Sequence, residues 1–413
     1  MAIIRPFRAL RPPRELAAKV AAPPYDVMSV EEAAMMAADN PCSFLHISRP
    51  EIDLPAEIDV HSEPVYLKGK ENLDRFIREG LLAQDRQACY YLYQQRMGDI
   101  SQTGLVVCAG VDDYQNNVIR KHEHTRPDKE EDRLRHIDQL DANDEPVFCA
   151  YRHDPAIGAL MTDIACDRPV CDFTSDDGVA HILWLIDDRE RIDRLTALFA
   201  AIPTLYVADG HHRSAAASRA RDMRKARNPR HTGQEEYNYF LTVIFPDNEM
   251  NIMPYNRVVR DLDQLSLIEF MTRVEEKFDI TPISASFQPA QRHQFGMFLA
   301  GRWYRLMAKK GNFRESDIVG RLDVSILQDN LLNPVLKIHN PRTDQRIQFV
   351  GGIRGIGELE RLVRSGEYQA AFTLYPTSME ELMALADMDK IMPPKSTWFE
   401  PKLRSGLFVH LLS

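Results

Sequence analysis

Three short stretches of the chain combine residue types that can do chemistry. The sharpest is Thr204-Leu205-Tyr206-Val207-Ala208-Asp209-Gly210-His211-His212-Arg213, followed by Ser214 and three alanines. An apolar strand there runs through Asp-Gly into a helix with a small first turn. Glycine lets backbone approach a ligand closely, and the first free N–H groups of a helix form an anion site that the macrodipole reinforces. Arg213 adds a planar, permanently charged fork that matches phosphate. Alternatively, Asp209 is a simple N-cap and Gly210 completes the turn. His211 and His212 point about 100° apart on a helix, which makes them poor joint ligands for one metal.

The second stretch is Ile119-Arg120-Lys121-His122-Glu123-His124-Thr125. Read as the end of a strand, it puts His122 and His124 on one face and Glu123 on the other. An H-x-H pair with a third ligand from elsewhere can hold a metal. Equally, Glu123 can be a general base, with Lys121 and the histidines as polar neighbours of an anionic substrate. A solvated strand end beside a charged helix is the plainer alternative. The third stretch, Met392 to Lys402, has prolines that fix its path and offers Lys395, Ser396 and Thr397. As a loop it suits phosphate or a substrate carboxylate; otherwise it is an aromatic-anchored segment docking on the core.

Helix-like and strand-like patterns alternate around these stretches without repeats. The proline-rich opening through Pro23-Pro24-Tyr25-Asp26 predicts an extended segment lying on something else. Tyr90 to Gln94 and Gly104 to Tyr114, separated by a turn at Met97 to Gln102, read as a hairpin. Strands follow at Pro146 to Tyr151, His181 to Ile186 and Thr204 to Ala208. Helices are expected at Lys129 to Leu140, Ala156 to Ala165, Arg189 to Ala201 and His212 to Arg227. Beyond about Asp261 comes a second α/β block, with helices at Leu262 to Phe278 and Ser378 to Met388. The mixed order favours α+β over a doubly wound sheet. Boundaries near 85 and 260 divide the chain into an N-terminal extension (1–85), a core (86–260) and a C-terminal block (261–413).

Composition narrows the classes. The chain has 413 residues with 44% hydrophobic and 27% charged, the makeup of an ordinary globular protein. No apolar stretch approaches the roughly 20 residues of a membrane helix. Arg5, Arg8, Arg11 and Arg14 interrupt any signal-peptide core, so the cytoplasm is the expected compartment. Six cysteines form no C-x-x-C pair, which argues against a zinc knuckle. A net charge of −10 argues against an extended nucleic-acid partner, although Arg219, Arg221, Arg224, Lys225, Arg227 and Arg230 form a local basic run.

Several of these residues together resemble a bacterial and archaeal family catalogued as a domain of unknown function. They are Ala22 to Val27, Asn40-Pro41, Phe44 to Glu51, Lys121-His122-Glu123, Asp132-Arg133, Asp209 to Arg213, Pro254 to Arg257 and Pro393 to Lys402. The resemblance spans nearly the whole chain. Part of it is similar to the ParB/sulfiredoxin-like free-serine kinases, which carry a His-Glu step, a helix, a Pro-hydrophobic strand, then strand-Asp-Gly-His-x-Arg opening a helix. His122-Glu123, Lys129 to Leu140, Glu145-Pro146-Val147 and Asp209 to Arg213 keep that order, with about 55 residues between Val147 and Thr204 in place of a short hairpin.

That resemblance implies an α+β fold with a ParB/sulfiredoxin-like catalytic core. It implies a nucleotide phosphate site at Gly210, His211, His212 and Arg213, ATP or ADP as phosphoryl donor, and Glu123 as the base that takes a hydroxyl proton. His122 is its neighbour, and Asp209 a candidate Mg²⁺ ligand. The acceptor is a small hydroxylated metabolite, foremost free L-serine, for whose carboxylate Lys395, Ser396 and Arg257 are candidate partners. Two other classes stand beside this one. One is a nucleotide-binding regulatory or DNA-associated protein that uses the basic helix Arg219 to Arg230. The other is a metal-dependent hydrolase built on His122, His124 and His211 or His212.

Overall fold

The computed structural model describes residues 2–413. The chain forms two compact units, Met1–Met250 with Pro401–Ser413, and Asn251–Glu400. The expected boundary near 85 falls inside the first unit, and that near 260 falls close after the start of the second.

The first unit is built on a nine-stranded sheet: β1 (Ile4–Arg5), β2 (Tyr90–Met97), β3 (Ile100–Gly110), β4 (Ile119–Arg120), β5 (Val147–Tyr151), β6 (Cys171–Thr174), β7 (Ala180–Ile186), β8 (Leu205–Asp209) and β9 (Tyr239–Pro246). Their order is β4-β8-β5-β9-β3-β2-β7-β6, with β1 on β3. The pairs β4/β8 and β5/β9 are parallel and the rest antiparallel. The β2–β3 hairpin closes at Met97 opposite Ile100, and Gly98 takes φ +57°, so the turn is shorter than composition suggested; β2 runs on to Met97, whereas β3 starts earlier than expected and ends at Gly110, where Val111–Gln115 is a short helix and not strand.

Four helices pack on this sheet: α1 (Pro127–Leu140), α2 (Pro155–Ala165), α3 (Arg189–Ala200) and α4 (His211–Arg227). Their inward residues, among them Ile157, Leu160, Leu195, Phe199, Ala216 and Ala220, form one core with Leu92, Leu105, Val107, Cys149 and Val207. The alternate residues Tyr91, Tyr93, Val106 and Cys108 are buried as well. These strands are covered on both faces, which is why they read as unbroken apolar runs. On the second face Tyr91 and Tyr93 meet Phe408, at ring-centroid distances of 5.1 and 6.2 Å. The opening segment packs into this unit. Phe7 and Leu10 are buried, Leu10 donates its N–H to Val409 O at 2.9 Å, and Ala22 pairs with Ser405. The chain's first and last segments therefore close on each other within this unit.

The second unit holds a six-stranded antiparallel sheet: β10 (Tyr255–Val259), β11 (Phe278–Ile283), β12 (Gln294–Leu299), β13 (Arg302–Ala308), β14 (Ile347–Gly351) and β15 (Ala370–Leu374), in the order β11-β13-β12-β15-β10-β14. Its longer helices are α5 (Leu267–Lys277), α6 (Gly355–Arg364) and α7 (Met379–Asp387). Ser266 starts α5 through a capping box with Glu269, so the expected helix from Leu262 begins five residues later. Both units mix helices with mainly antiparallel sheet, an α+β organisation. Among the described residues, no helix is long and apolar enough to cross a membrane.

Candidate functional site

Strand β8 ends in a register shift between Val207 and Asp209 and passes through Gly210 into α4. Gly210 has φ +90°, and a Cβ there would meet Arg213 Nε at 3.3 Å and Val147 Cα at 3.4 Å, so this turn needs glycine for conformation and for close approach. Gly210 itself is the N-cap of α4 and supplies no side-chain acceptor. Asp209 is therefore not the N-cap. Its Oδ1 accepts the Gly210 N–H at 2.9 Å and its Oδ2 meets Lys402 Nζ at 2.8 Å. Burial opposes its charge, but Lys402 and then Arg213 outweigh that and hold it well below the usual carboxylate range.

Arg213 does not extend toward a ligand. Its guanidinium donates to Pro146 O, lies 3.4 Å from Asp26 Oδ2 and 3.9 Å from Glu145 Oε2, and its side chain is 9% exposed. Glu145 is fully enclosed: it accepts from Tyr25 N at 3.1 Å and Ser405 Oγ at 2.7 Å. Burial pushes its carboxyl upward against the pull of Arg213. Arg133 stacks 4.1 Å over the Tyr25 ring, and His136 pairs with Asp144 at 3.0 Å. Arg133, His136, Asp144, Glu145 and Arg213 line a cavity of about 20 Å³. A charged core thus binds the first turn of α4 to β5, to the N-terminal segment and to the C-terminal return.

The strand expected through His124 stops at Arg120, and residues 121–126 form a loop into α1. His122 and Glu123 therefore do not alternate across a sheet. His122 turns inward and packs its ring edge-to-face on His211 at 4.5 Å, while His124 is exposed. Neither ring nitrogen of His122 meets hydrogen-bond geometry, nor does Nε2 of His211. Burial, and then His211, pull His122 down to about 3, against Glu123 and then the Val207 backbone, which favour its charge. Burial, partly offset by Asp209, pulls His211 down to about 4. Both rings are neutral at pH 7. His212 points elsewhere and accepts the Arg126 N–H at 3.1 Å, which fixes the end of the loop. Glu123 sits half-buried at the bend and has no hydrogen bond or ion pair among the described residues.

Asp209 is a poor fit for a resident divalent ion, because an ammonium already occupies its open side. Among the described residues no three His, Cys, Asp or Glu side chains converge as metal donors. The N-terminus of α4 has no side-chain cap, and both ring nitrogens of His122 and Nε2 of His211 are buried without a hydrogen bond. The basic run on α4 faces carboxylates: Arg219 meets Glu131 at 2.6 Å, Arg221 meets Asp112 at 2.6 Å, and Arg224 and Arg227 meet Asp138 at 3.1 and 3.5 Å.

Lys395, Ser396 and Arg257 belong to the second unit, and there they come together: Arg257 Nη2 donates to Lys395 O at 2.9 Å. Sequence reasoning missed Lys402 and Glu145. Lys402 lies in the same Pro393 to Lys402 stretch that carried the resemblance, but nothing local to it points to a partner 193 residues away. Glu145 adjoins Pro146 in the Pro-hydrophobic strand, and only the fold shows that Arg213 faces it.

Residues 4–325 match the family described as "Protein of unknown function (DUF1015)", and the chain belongs to that family. No curated relative matches the sequence. Solved structures that share features with the chain include a free serine kinase in complex with AMP (12% identity, TM-score 0.35, 72% of this chain and 86% of that one). Others are a conserved hypothetical protein from Pyrococcus furiosus (12%, 0.34, 75% and 95%) and SbnI with C-terminal truncation from Staphylococcus aureus (11%, 0.36, 74% and 87%).

Proposed function

We propose that the first unit is a small-molecule kinase core of the ParB/sulfiredoxin-like kind. It transfers a phosphoryl group from ATP or ADP to the hydroxyl of a small metabolite, foremost free L-serine, giving O-phospho-L-serine. The observation that carries this reading is the uncapped N-terminus of α4 at Gly210, flanked by the neutral rings of His122 and His211 with unused buried nitrogens. Backbone N–H groups and imidazole N–H groups are donors suited to phosphate oxygens. Phosphoryl transfer asks the protein mainly to position and to stabilise charge, and this corner is a preorganised donor set.

The remaining residues have distinct work. Asp209 holds the Lys402 ammonium at the mouth of the turn, where its charge is near the arriving phosphates. Glu123, unengaged on the neighbouring loop, accepts the acceptor's hydroxyl proton as the alcohol oxygen attacks phosphorus and the bond to the departing nucleotide breaks. Arg213 keeps the helix in place and leaves the phosphate to the backbone and the histidines. Any Mg²⁺ arrives with the nucleotide.

The test is incubation with Mg²⁺, ATP or ADP and a panel of hydroxylated metabolites, read by mass spectrometry for a phosphorylated product. Glu123→Gln is expected to keep nucleotide affinity and lose at least about 100-fold in turnover. If neither donor is consumed with any acceptor the proposal fails, and near-normal turnover of the variant removes Glu123 as the base.

A further inference from the structure

The second unit contains a buried cation with no anion to answer it. Arg257 lies on β10 and is 3% exposed. It is opposite Phe349 on β14 and Phe372 on β15, and its guanidinium sits 5.0 Å from the Phe349 ring centroid and 6.0 Å from that of Tyr255. Two backbone carbonyls accept from it: Tyr255 O from Nη1, and Lys395 O from Nη2 at 2.9 Å. Among the described residues no carboxylate comes within ion-pairing distance of it. Burial lowers its proton affinity to about 10, opposed only by Tyr255.

Proteins pair or neutralise buried charges, because an isolated ion loses far more hydration than two carbonyl contacts restore. Each Nη group carries two N–H bonds and gives one to a carbonyl, which leaves Nε–H and one N–H on each Nη; a guanidinium grips carboxylate or phosphate through a parallel pair of such bonds. The turn beside it is held firmly: Ser396 Oγ donates to Pro393 O at 2.6 Å, and Thr377 Oγ1 donates to Ser396 O at 3.0 Å. Lys395 occupies that turn at φ +58°, a conformation costly for a residue with a side chain and typical of places where function holds the backbone. Its ammonium lies 5.7 Å from the Tyr255 ring centroid, so a second cation borders the same aromatic wall. Glu400, the carboxylate at the edge of that wall, accepts the Trp398 indole N–H at 2.8 Å.

We propose that Arg257 and Lys395 form an anion-binding site of the second unit that takes the carboxylate or phosphate group of a small metabolite. The guanidinium supplies the directed hydrogen bonds and the lysine supplies charge at the rim. Tyr255 and Phe349 form the apolar wall against which the rest of the ligand lies. This proposal does not depend on whether the Gly210 turn binds phosphate.

The test uses the full-length chain carrying Gly210→Ala, which fills the close approach at the first unit's turn, with and without Arg257→Met. Inorganic phosphate and L-serine are titrated separately by calorimetry, and thermal unfolding is followed with each. The Gly210→Ala chain is expected to bind at least one probe saturably, and adding Arg257→Met is expected to weaken that binding at least tenfold. Arg257→Lys, which keeps the charge and loses the fork, should fall between. Binding of phosphate alone marks a phosphate-bearing ligand, and binding of L-serine alone marks a carboxylate. Equal binding with and without Arg257→Met, or no binding of either probe to the Gly210→Ala chain, overturns the proposal. If Gly210→Ala instead titrates like the unaltered chain, the phosphate turn of the first unit loses its support and the Arg257 site is untouched.

Discussion

Among the buried arginines of this chain, Arg213 and Arg257 have opposite surroundings. Arg213 in the first unit feels Asp26, Glu145 and Asp209, and donates to Pro146 O. Arg257 in the second unit feels no carboxylate, and its hydrogen-bond partners are two backbone carbonyls. The first belongs to the Asp-Gly-His-His-Arg motif and invites a ligand role by its company, yet its charge is already balanced by the protein. The second sits in a plain strand, yet its charge still needs a counterpart. A buried cation is thus informative about ligands only once its own protein partners are known.

This contrast predicts unequal mutational costs. Arg213→Met strands Glu145 and Asp26 beside a charged core, and truncating one member of a buried ionic set costs about 3–5 kcal/mol. Denaturant unfolding should show the midpoint falling accordingly, or the variant failing to fold. Arg257→Met removes an unbalanced charge and replaces it with an apolar side chain of similar length, so its stability in anion-free buffer should stay within about 1 kcal/mol of the unaltered chain. If the two substitutions cost the same, the distinction between a structural and a ligand-seeking arginine collapses.

Histidines sharpen the comparison through pH. His122 and His211 are held at about 3 and about 4, below the ordinary 6.5, so the unfolded chain binds protons that the folded one refuses. Their contribution is whole above pH 6.5 and is lost as pH falls toward 4 and then 3. Together they should lower the first unit's stability by about 2 kcal/mol between pH 6 and pH 5. In the second unit His293 runs the other way. The Asp323 carboxylate, 3.4 Å from its Nδ1, raises its proton affinity, so its contribution is present below pH 6.5 and is lost as pH rises through the folded value. Hydrogen exchange resolved by unit at pH 6 and pH 5 checks this: protection of β8 and α4 should drop more than that of β12 and α7. Equal loss in both units would mean that the histidine pair is not excluding protons.

The contrast between local and distant partners also separates what the sequence revealed from what it hid. Helices α1, α2 and α3 and the β8-to-α4 junction were legible because an apolar period and flanking breakers are written within a dozen residues. The strand Gln294–Leu299 was not, because Gly296 interrupts a short apolar run that carries no alternation. At the site, Gly210 was legible from its neighbours, and its φ of +90° bears that out. The destination of Arg213 was not. Its partners Asp26 and Glu145 lie 187 and 68 residues away, and spacing carries no trace of such a meeting. Lys402 was passed over for Lys395 for the same reason: both stand in one proline-rich stretch, and only the fold sends one to Asp209 and the other to the turn beside Arg257.

The smallest predicted effect lies on the same helix as the largest. Arg227 on the outer face of α4 is 66% exposed and reaches Asp138 at 3.5 Å, whereas Arg213 one face inward is closed off. An exposed pair of this length is screened by water and salt and is worth about 0–1 kcal/mol. Arg227→Ala should therefore change stability by no more than about 0.5 kcal/mol. It also probes the DNA-associated alternative, since a cation that contacts phosphate lowers the salt dependence of binding when removed. With its neighbours on the basic run engaged by Glu131, Asp112 and Asp138, the expected outcome is no salt-dependent retention on DNA with or without Arg227. Retention that weakens in the variant would show that this face exchanges its carboxylate partners for a polyanion, and the charge of α4 would then have a use beyond holding the helix to its neighbours.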